Sequence, residues 1–479
     1  MRLVMKFGGT SIGNAERIKN VSEIVAKEYK NGSEIAVVVS ALPGVTDSLI
    51  EIANRMIATN GEGNKNLEAF IHKIRKKHNE TITSVIKNNK CRGETIAKMD
   101  ENLKKLRTAL QSIKTRKKLT LTSKDFILSF GEKLSAPIIS GAIIEQGIDS
   151  ISLTGDEAGI ITDSNYGYAE PIMTLTKKNV SNKILPLFEK GIVPVITGFI
   201  GKDEKGVQTT LGRGGSDYTA SIIGASISAD EIIIWKDVRG FMTADPKIVP
   251  NARLINTLSY DEAIELASFG AKILHPRAIE PLIDEEIKMH IKYTFDPTHP
   301  GTFVHTPDPI TRSPITGIAT INNAVLLRIG GTRKMNLENI ASDVFRVLDS
   351  SKVNIKMFAS ATSEPIISLV IDKIYLEDTL KALQEQFGTN GEIMIIPEAG
   401  YSIITVVGEG MRGRYGIAGK IFSVLGDEEI SIAMIVQSSS ELNISFVVAS
   451  EDKDRAVQLV HKNFDLDKSP WALEYEYEE

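Results

Sequence analysis

Lys6-Phe7-Gly8-Gly9-Thr10-Ser11 stands where the apolar run LVMKF gives way to a helical stretch beginning near Asn14. Glycines admit the backbone close to a phosphate, amides at a following helix N-terminus favour an anion, and a lysine adds a full positive charge. The segment suits phosphate binding, although a plain strand-to-helix turn can use the same residues. A second run, Leu211-Gly212-Arg213-Gly214-Gly215-Ser216-Asp217, precedes YTASIIGASI, which reads as a buried helix. Its three glycines offer bare amides beside one planar guanidinium, a combination suited to two-point recognition of a carboxylate. A purely structural hinge would need neither Arg213 nor Asp217.

Three further segments carry weaker signals. Ser129-Phe130-Gly131-Glu132-Lys133-Leu134-Ser135 enters a helix of small residues. Glu132 could accept from a ligand ammonium, or simply complement its own helix dipole. Trp235-Lys236-Asp237-Val238-Arg239-Gly240-Phe241-Met242-Thr243-Ala244-Asp245-Pro246-Lys247 follows the run EIIIW and could line a nucleotide pocket, or be a loop closed by Gly240 and Pro246. Gly270-Ala271-Lys272-Ile273-Leu274-His275-Pro276 adds a lysine after a helix, where most lysines are solvated.

The elements that must position these groups follow one theme up to about residue 300. The short β-branched runs LVMKF, EIAVVVS, SIS, VPVIT and EIIIW alternate with turns and helical stretches. Such alternation predicts an α/β fold, a sandwich with a mainly parallel sheet whose ligands lie at the strand C-terminal ends. Residues 61–118 read as a helical insertion with a solvated face, its apolar positions Leu67, Phe70, Ile71 and Ile74 at helical spacing. The proline-rich stretch around 296–316 reads as a linker or crossing segment. Beyond it, AVLLRIGG onward and YSIITVVGEG onward resemble each other. Each has an amphipathic helix containing VFRVL or IFSVL, a strand, a Ser/Thr-Ser-Glu turn and a second strand, the pattern of a ferredoxin-like α+β unit repeated.

With 479 residues, 42% of them hydrophobic and 24% charged, the chain is expected to fold into roughly three domains. A formal net charge of −5 argues against nucleic-acid or anionic-membrane partners and favours a small molecule. The lone Cys91 can form neither an intramolecular disulfide nor a multi-thiolate metal site. No signal-peptide pattern and no apolar run near 18 residues are read, so a cytoplasmic location is expected.

Taken together and in order, KFGGTS, SFGEKLSA, TGFIG, TLGRGGSDYTA, DVRGFMTADPK and GAKILHP resemble the aspartokinase family within the amino-acid kinase superfamily, over essentially the whole chain. That resemblance implies an amino-acid-kinase-like three-layer sandwich at 1–300, a linker at 301–317 and paired ACT domains at 318–398 and 399–479, whose last strands could be shared. It implies ATP-dependent phosphorylation of the side-chain carboxylate of L-aspartate to aspartyl phosphate, the first step toward lysine, threonine and methionine, with Mg²⁺. By the same resemblance, Lys6 and the Gly8 and Gly9 amides stabilise the transferring phosphoryl, while Lys272 and Lys247 hold nucleotide phosphates and Lys236, Asp237 and Met242 complete the nucleotide loop. Asp217 is expected to organise Mg²⁺, directly or through water, or to orient Lys6. Arg213, with Gly214 and Gly215, and Glu132 would recognise aspartate, and the resemblance adds Ser40, Thr46, Phe199 and Ser216. The nucleotide loop departs from the family where Thr-Asp and Val-Asp-Gly are usual: it reads Lys236-Asp237 and Val238-Arg239-Gly240, with Met242 in place of a common tyrosine.

The paired units imply feedback by an amino acid and a homodimer or dimer of dimers through the ACT domains. The stretch Val436–Phe446 is most similar to threonine-sensitive members, with lysine the runner-up; Gln437 is the leading effector contact, with Ser438, Asn443 and the loop around Gly413 beside it. These polar residues could equally cap strand turns. A glutamate, acetylglutamate, carbamate or UMP kinase of the superfamily would share the glycine loops, and a non-catalytic amino-acid-binding regulator is a further alternative. With no strand–GxGxxG–helix unit before Glu479, dehydrogenase activity is not expected.

Overall fold

In the computed structural model of the chain, the described residues are 1–58, 63–271, 273–306, 313–331, 337–361, 366–388, 393–468 and 472–473. They form two compact units, Met1–Gly240 with Ile273–Pro307, and Phe241–Lys272 with Asp308–Glu479.

The first unit is built on a mainly parallel sheet. Its strands run in the order Thr302–Val304, Lys288–Tyr293, Glu231–Lys236, Arg2–Phe7, Glu34–Val39, Val193–Thr197 and Ser150–Leu153. All neighbours are parallel except Thr302–Val304, which pairs antiparallel with Lys288–Tyr293 although it lies in the stretch read as a linker. The apolar runs are nearly unbroken because a parallel sheet is covered on both faces: Val4, Val37, Ile196 and Ile234 are all buried. Side chains alternate along each strand. Leu3, Met5 and Phe7 join the core that includes residues of helices Ala15–Lys30 and Phe130–Ile144. Lys6 turns to the opposite face, toward helix Gly215–Ile227. The insertion consists of helices Gly63–Val85 and Asn89–Arg116, whose Leu67, Ile74, Leu103 and Leu110 reach that same core.

Leu121–Ile144 is long and apolar enough to cross a membrane by length and composition, yet 83% of its most apolar window is buried inside the protein. The two helices Leu121–Leu128 and Phe130–Ile144 run on through Ser129. Burial among other helices and the sheet, as for Phe130, Ile138 and Ile139, accounts for their composition.

The second unit carries a six-stranded sheet in the order Ile355–Ala361, Ile366–Asp372, Gly317–Gly331, Ile393–Val407, Asn443–Ala449, Ile432–Gln437, with every neighbouring pair antiparallel. The two central strands are 15 residues each and serve both repeats. The later part of the first, with Val325, Leu327 and Ile329, packs with helices Leu337–Ser350 and Leu376–Phe387. Its beginning, with Ile318, packs instead with Ile404, Val406, Ile421 and Val457, in the core of helices Ile417–Asp427 and Lys453–Asn463. The first strand of the region therefore closes the second repeat before it opens the first. Its register shifts between Ile321 and Ala324, where Asn323 takes a left-handed φ of 58°.

Candidate active site

Strand Arg2–Phe7 delivers Lys6 to its C-terminal end, and the glycines after it bring backbone close to backbone. A Cβ on Gly9 would stand 2.9 Å from the Ala41 carbonyl oxygen, and one on Gly8 would stand 3.6 Å from Lys6 Nζ. The Lys6 ammonium thus hangs beside the Gly8 backbone. It ion-pairs with Asp217 Oδ1, while Lys236, at the end of the adjacent strand, reaches Asp217 Oδ2 at 2.7 Å. All three side chains are largely withdrawn from solvent, with exposures of 5% for Lys6, 8% for Asp217 and 17% for Lys236. Burial would raise the Asp217 carboxyl, but Lys236 and Lys6 outweigh it and hold the group well below the usual carboxylate range. Burial pulls Lys6 down against the opposing pull of Asp217.

The second glycine loop lies between strand Gln208–Thr210 and helix Gly215–Ile227. Gly212 and Gly214 adopt φ of 75° and 74°, where a side chain would be strained. Phe199 is also left-handed, at φ 71°, and is held there: its N–H donates to Thr219 Oγ1 at 2.9 Å and its carbonyl accepts from the Leu211 N–H at 2.9 Å. Arg213 is exposed, and among the described residues no ion-pair partner is found for it.

Glu132, in the first turn of helix Phe130–Ile144, is buried at 4% exposure. Its Oε1 accepts from the Ala41 N–H at 3.1 Å, whereas its Oε2 is buried with no hydrogen-bond partner among the described residues. Burial, only partly opposed by backbone N–H groups and Lys6, pushes this carboxyl up to about 8. A buried acceptor without a donor is costly unless a ligand supplies one.

Lys6, Ser40, Thr46, Glu132, Phe199 and the loop from Gly212 to Asp217 line one cleft of about 310 Å³. The two glycine segments, far apart in sequence, therefore face a common space, and every residue expected to contact the acceptor is on its wall. Gly8 and Gly9 belong to the same corner through Lys6 and Ala41. Asp237 is exposed beside Lys236. Met242 and Lys247 lie in the second unit, where Met242 bridges to Leu254 and Lys247 is exposed. Lys272 lies outside the described residues.

Among the described residues no three His, Cys, Asp or Glu side chains cluster so as to hold a metal ion. Sequence reasoning passed over Asp125, a wholly buried carboxylate that accepts from the Gly167 N–H, the Thr210 N–H and the Thr210 hydroxyl at 2.8, 2.9 and 2.8 Å. It anchors the strand that leads into the Arg213 loop. A lone aspartate in an apolar helix carries no local signal of such a role.

In the second unit, the Gly413 N–H donates to Glu441 Oε2 at 2.7 Å and Arg412 Nε donates to the Ser440 carbonyl at 3.1 Å. The Gly413 loop thus meets the turn that follows Gln437, the exposed end of strand Ile432–Gln437. Ser438 and Ser440 share a hydroxyl hydrogen bond of 2.8 Å. Asn443 is buried, and its amide donates to Glu265 Oε2 at 2.7 Å.

The amino acid kinase family model matches residues 1–293, and an ACT domain model matches 328–387 and 404–464. An aspartokinase from Bacillus sp. (strain MGA3) is 30% identical over 471 residues, spanning 98% of both chains. A chloroplastic bifunctional aspartokinase/homoserine dehydrogenase 2 of Arabidopsis thaliana is 30% identical over 481 residues; the match spans 98% of this chain but 51% of that relative, so the chain covers about half the length of the bifunctional relatives it matches. Escherichia coli aspartokinase III in complex with aspartate and ADP superposes with a TM-score of 0.80 at 26% identity, over 97% of this chain and 99% of that one. The same enzyme with lysine and aspartate gives 0.79 at 26% identity, over 96% and 99%.

Proposed function

Because the chain belongs to the aspartokinases of the amino acid kinase family, we propose that it transfers the γ-phosphoryl group of ATP to the side-chain carboxylate of L-aspartate. The observation that carries this reading is the common cleft into which the Lys6 and Arg213 segments both open. The acceptor carboxylate, with a reference pKa of about 4, is already ionised at neutral pH and needs no general base. One of its oxygens attacks the γ-phosphorus as the bond to the β-γ bridging oxygen breaks, giving 4-phospho-L-aspartate and ADP. Two anions must be brought together, so positive charge and alignment are the catalytic requirement. Lys6 and the Gly8 and Gly9 amides supply the charge at the phosphoryl, and Asp217 supports that role by fixing the Lys6 and Lys236 ammonium groups. Met242, Lys247 and Lys272 remain assigned to the nucleotide by family resemblance.

Arg213 takes the α-carboxylate two-pronged, and the unpartnered Glu132 Oε2 takes the ammonium. Ser40, Thr46, Phe199, Gly214, Gly215 and Ser216 shape the remaining wall. Magnesium fits best as a companion of the triphosphate, since no protein-only cluster is found among the described residues and Mg²⁺ commonly binds through one or two carboxylates plus substrate phosphates. Asp217, already facing two ammonium groups, is better suited to orienting Lys6 than to ligating the ion.

An amino acid, threonine ahead of lysine, would bind the second unit near Gln437 and Ser438 where the Gly413 loop meets their turn. Homo-oligomerisation through the ACT region is supported by Phe358 and Ile435, apolar side chains 55% and 49% exposed on the two outer strands of its sheet. A cytoplasmic location is supported by the burial of Leu121–Ile144, the one membrane-length apolar helix among the described residues. The reading is tested by ADP release over a panel of aspartate, glutamate, acetylglutamate and no acceptor, with hydroxylamine trapping of the acyl phosphate. Aspartate alone should stimulate release and yield a hydroxamate. Stimulation by another acceptor, or by none, would refute it.

A further inference from the structure

Arg277 has no place in the chemistry above, yet it is a buried arginine, 7% exposed, in the short turn Pro276–Ala278. Its Nη1 donates to the Leu211 carbonyl at 2.8 Å and its Nη2 to the Ala169 carbonyl at 3.3 Å, while Nη2 also pairs with Glu170 at 2.8 Å. The guanidinium lies 4.2 Å from the Tyr168 ring centre and 4.6 Å from that of Tyr218. These contacts converge on the entrance of the Arg213 loop. Leu211 is the residue before Gly212, and a Cβ on Gly212 would stand 2.5 Å from Tyr168 Cδ2, so the ring in contact with Arg277 is also the surface on which the loop rests. Ala169 donates its N–H to the Thr210 carbonyl at 2.9 Å, which joins the same two segments a second time.

We propose that Arg277 is a positioning residue for acceptor recognition, holding the Gly212–Gly215 loop at the height from which Arg213 reaches the α-carboxylate. The proposal rests on the aspartate reading of the cleft. Loop glycines give the backbone freedom that must be removed before a guanidinium can meet a carboxylate in one geometry. Arg277 removes it from outside the cleft, by hydrogen bonds to backbone carbonyls and by cation–π contacts with the Tyr168 and Tyr218 rings. A lysine has neither the fork nor the plane, so it cannot reproduce this set of contacts.

The test compares wild type, Arg277→Met, Arg277→Lys and Glu170→Gln, each alone and combined with Arg213→Ala, using aspartate-dependent ADP release and thermal unfolding. Arg277→Met should raise the KM for aspartate about tenfold or more while the KM for ATP stays within about twofold. Arg277→Lys should not restore it. Combined with Arg213→Ala, Arg277→Met should add little, because it acts through the same contact. Should Arg277→Met fail to fold, Glu170→Gln, at a half-exposed position, should remain folded and shift the aspartate KM in the same direction by about twofold or more. Equal changes in both KM values, independent multiplication with Arg213→Ala, or a folded Glu170→Gln with unchanged aspartate KM would overturn the assignment. Absence of aspartate-dependent turnover in wild type would instead remove the aspartate reading itself.

Discussion

Lys6 and Lys236, on adjacent parallel strands, reach the two different oxygens of one buried carboxylate, Asp217. The arrangement leaves a net positive charge in a low-dielectric corner beside the Gly8 backbone. A group that must attract a polyanion without collapsing onto a single counter-ion is well served by such sharing.

Asp217→Asn should therefore lower kcat by about a hundredfold or more, with smaller changes in either KM, because the lysines lose their common anchor. Leaving two largely buried ammonium groups without it should also destabilise the fold by about 3–5 kcal/mol. Steady-state kinetics beside chemical unfolding would check both. An unchanged kcat would remove the orienting role.

Arg213→Ala should raise the KM for aspartate by about thirtyfold or more and leave that for ATP within about twofold. The expected discrimination extends to substrates: succinate, which lacks the ammonium, should suffer less from Glu132→Gln than aspartate does. A parallel rise in the ATP KM would place Arg213 elsewhere in the reaction.

Glu132, pushed up to about 8 by burial, is largely protonated in the free protein at neutral pH. To receive an ammonium it must lose that proton, so aspartate binding should weaken as pH falls below about 8 and release a proton on association. Glu132→Gln should bind more weakly at pH 8.5 and show a flatter pH profile. Calorimetry in buffers of different ionisation enthalpy measures the proton directly, and no buffer dependence would contradict the role.

Threonine should inhibit wild type more strongly than lysine does, and Gln437→Ala should blunt that inhibition with little effect on the uninhibited rate. Titration of each amino acid against both proteins decides it. Lysine inhibition without a threonine response would reverse the effector assignment, and full inhibition of the variant would move the site away from Gln437.

Much of this was legible in the chain. The strands around Val4, Val37 and Ile234 are buried on both faces, so their apolar runs announce them. The Lys6 and Arg213 segments could be read because close phosphate and carboxylate approach requires glycine beside a cation. Arg277 and Asp125 were silent: each is a common residue whose partners, Leu211 and Thr210 among them, lie far away in sequence. Asp217 left two roles open because a sequence does not reveal how many ammonium groups share an oxygen pair.

The central strand Gly317–Gly331 also makes the two repeats one genetic unit. Ile318 at its start lies in one core with Ile404 and Val406, while Val325 and Ile329 further along lie in another with Ile393 and Ile395. Neither half could be excised by a simple cut in the gene without taking a strand from the other.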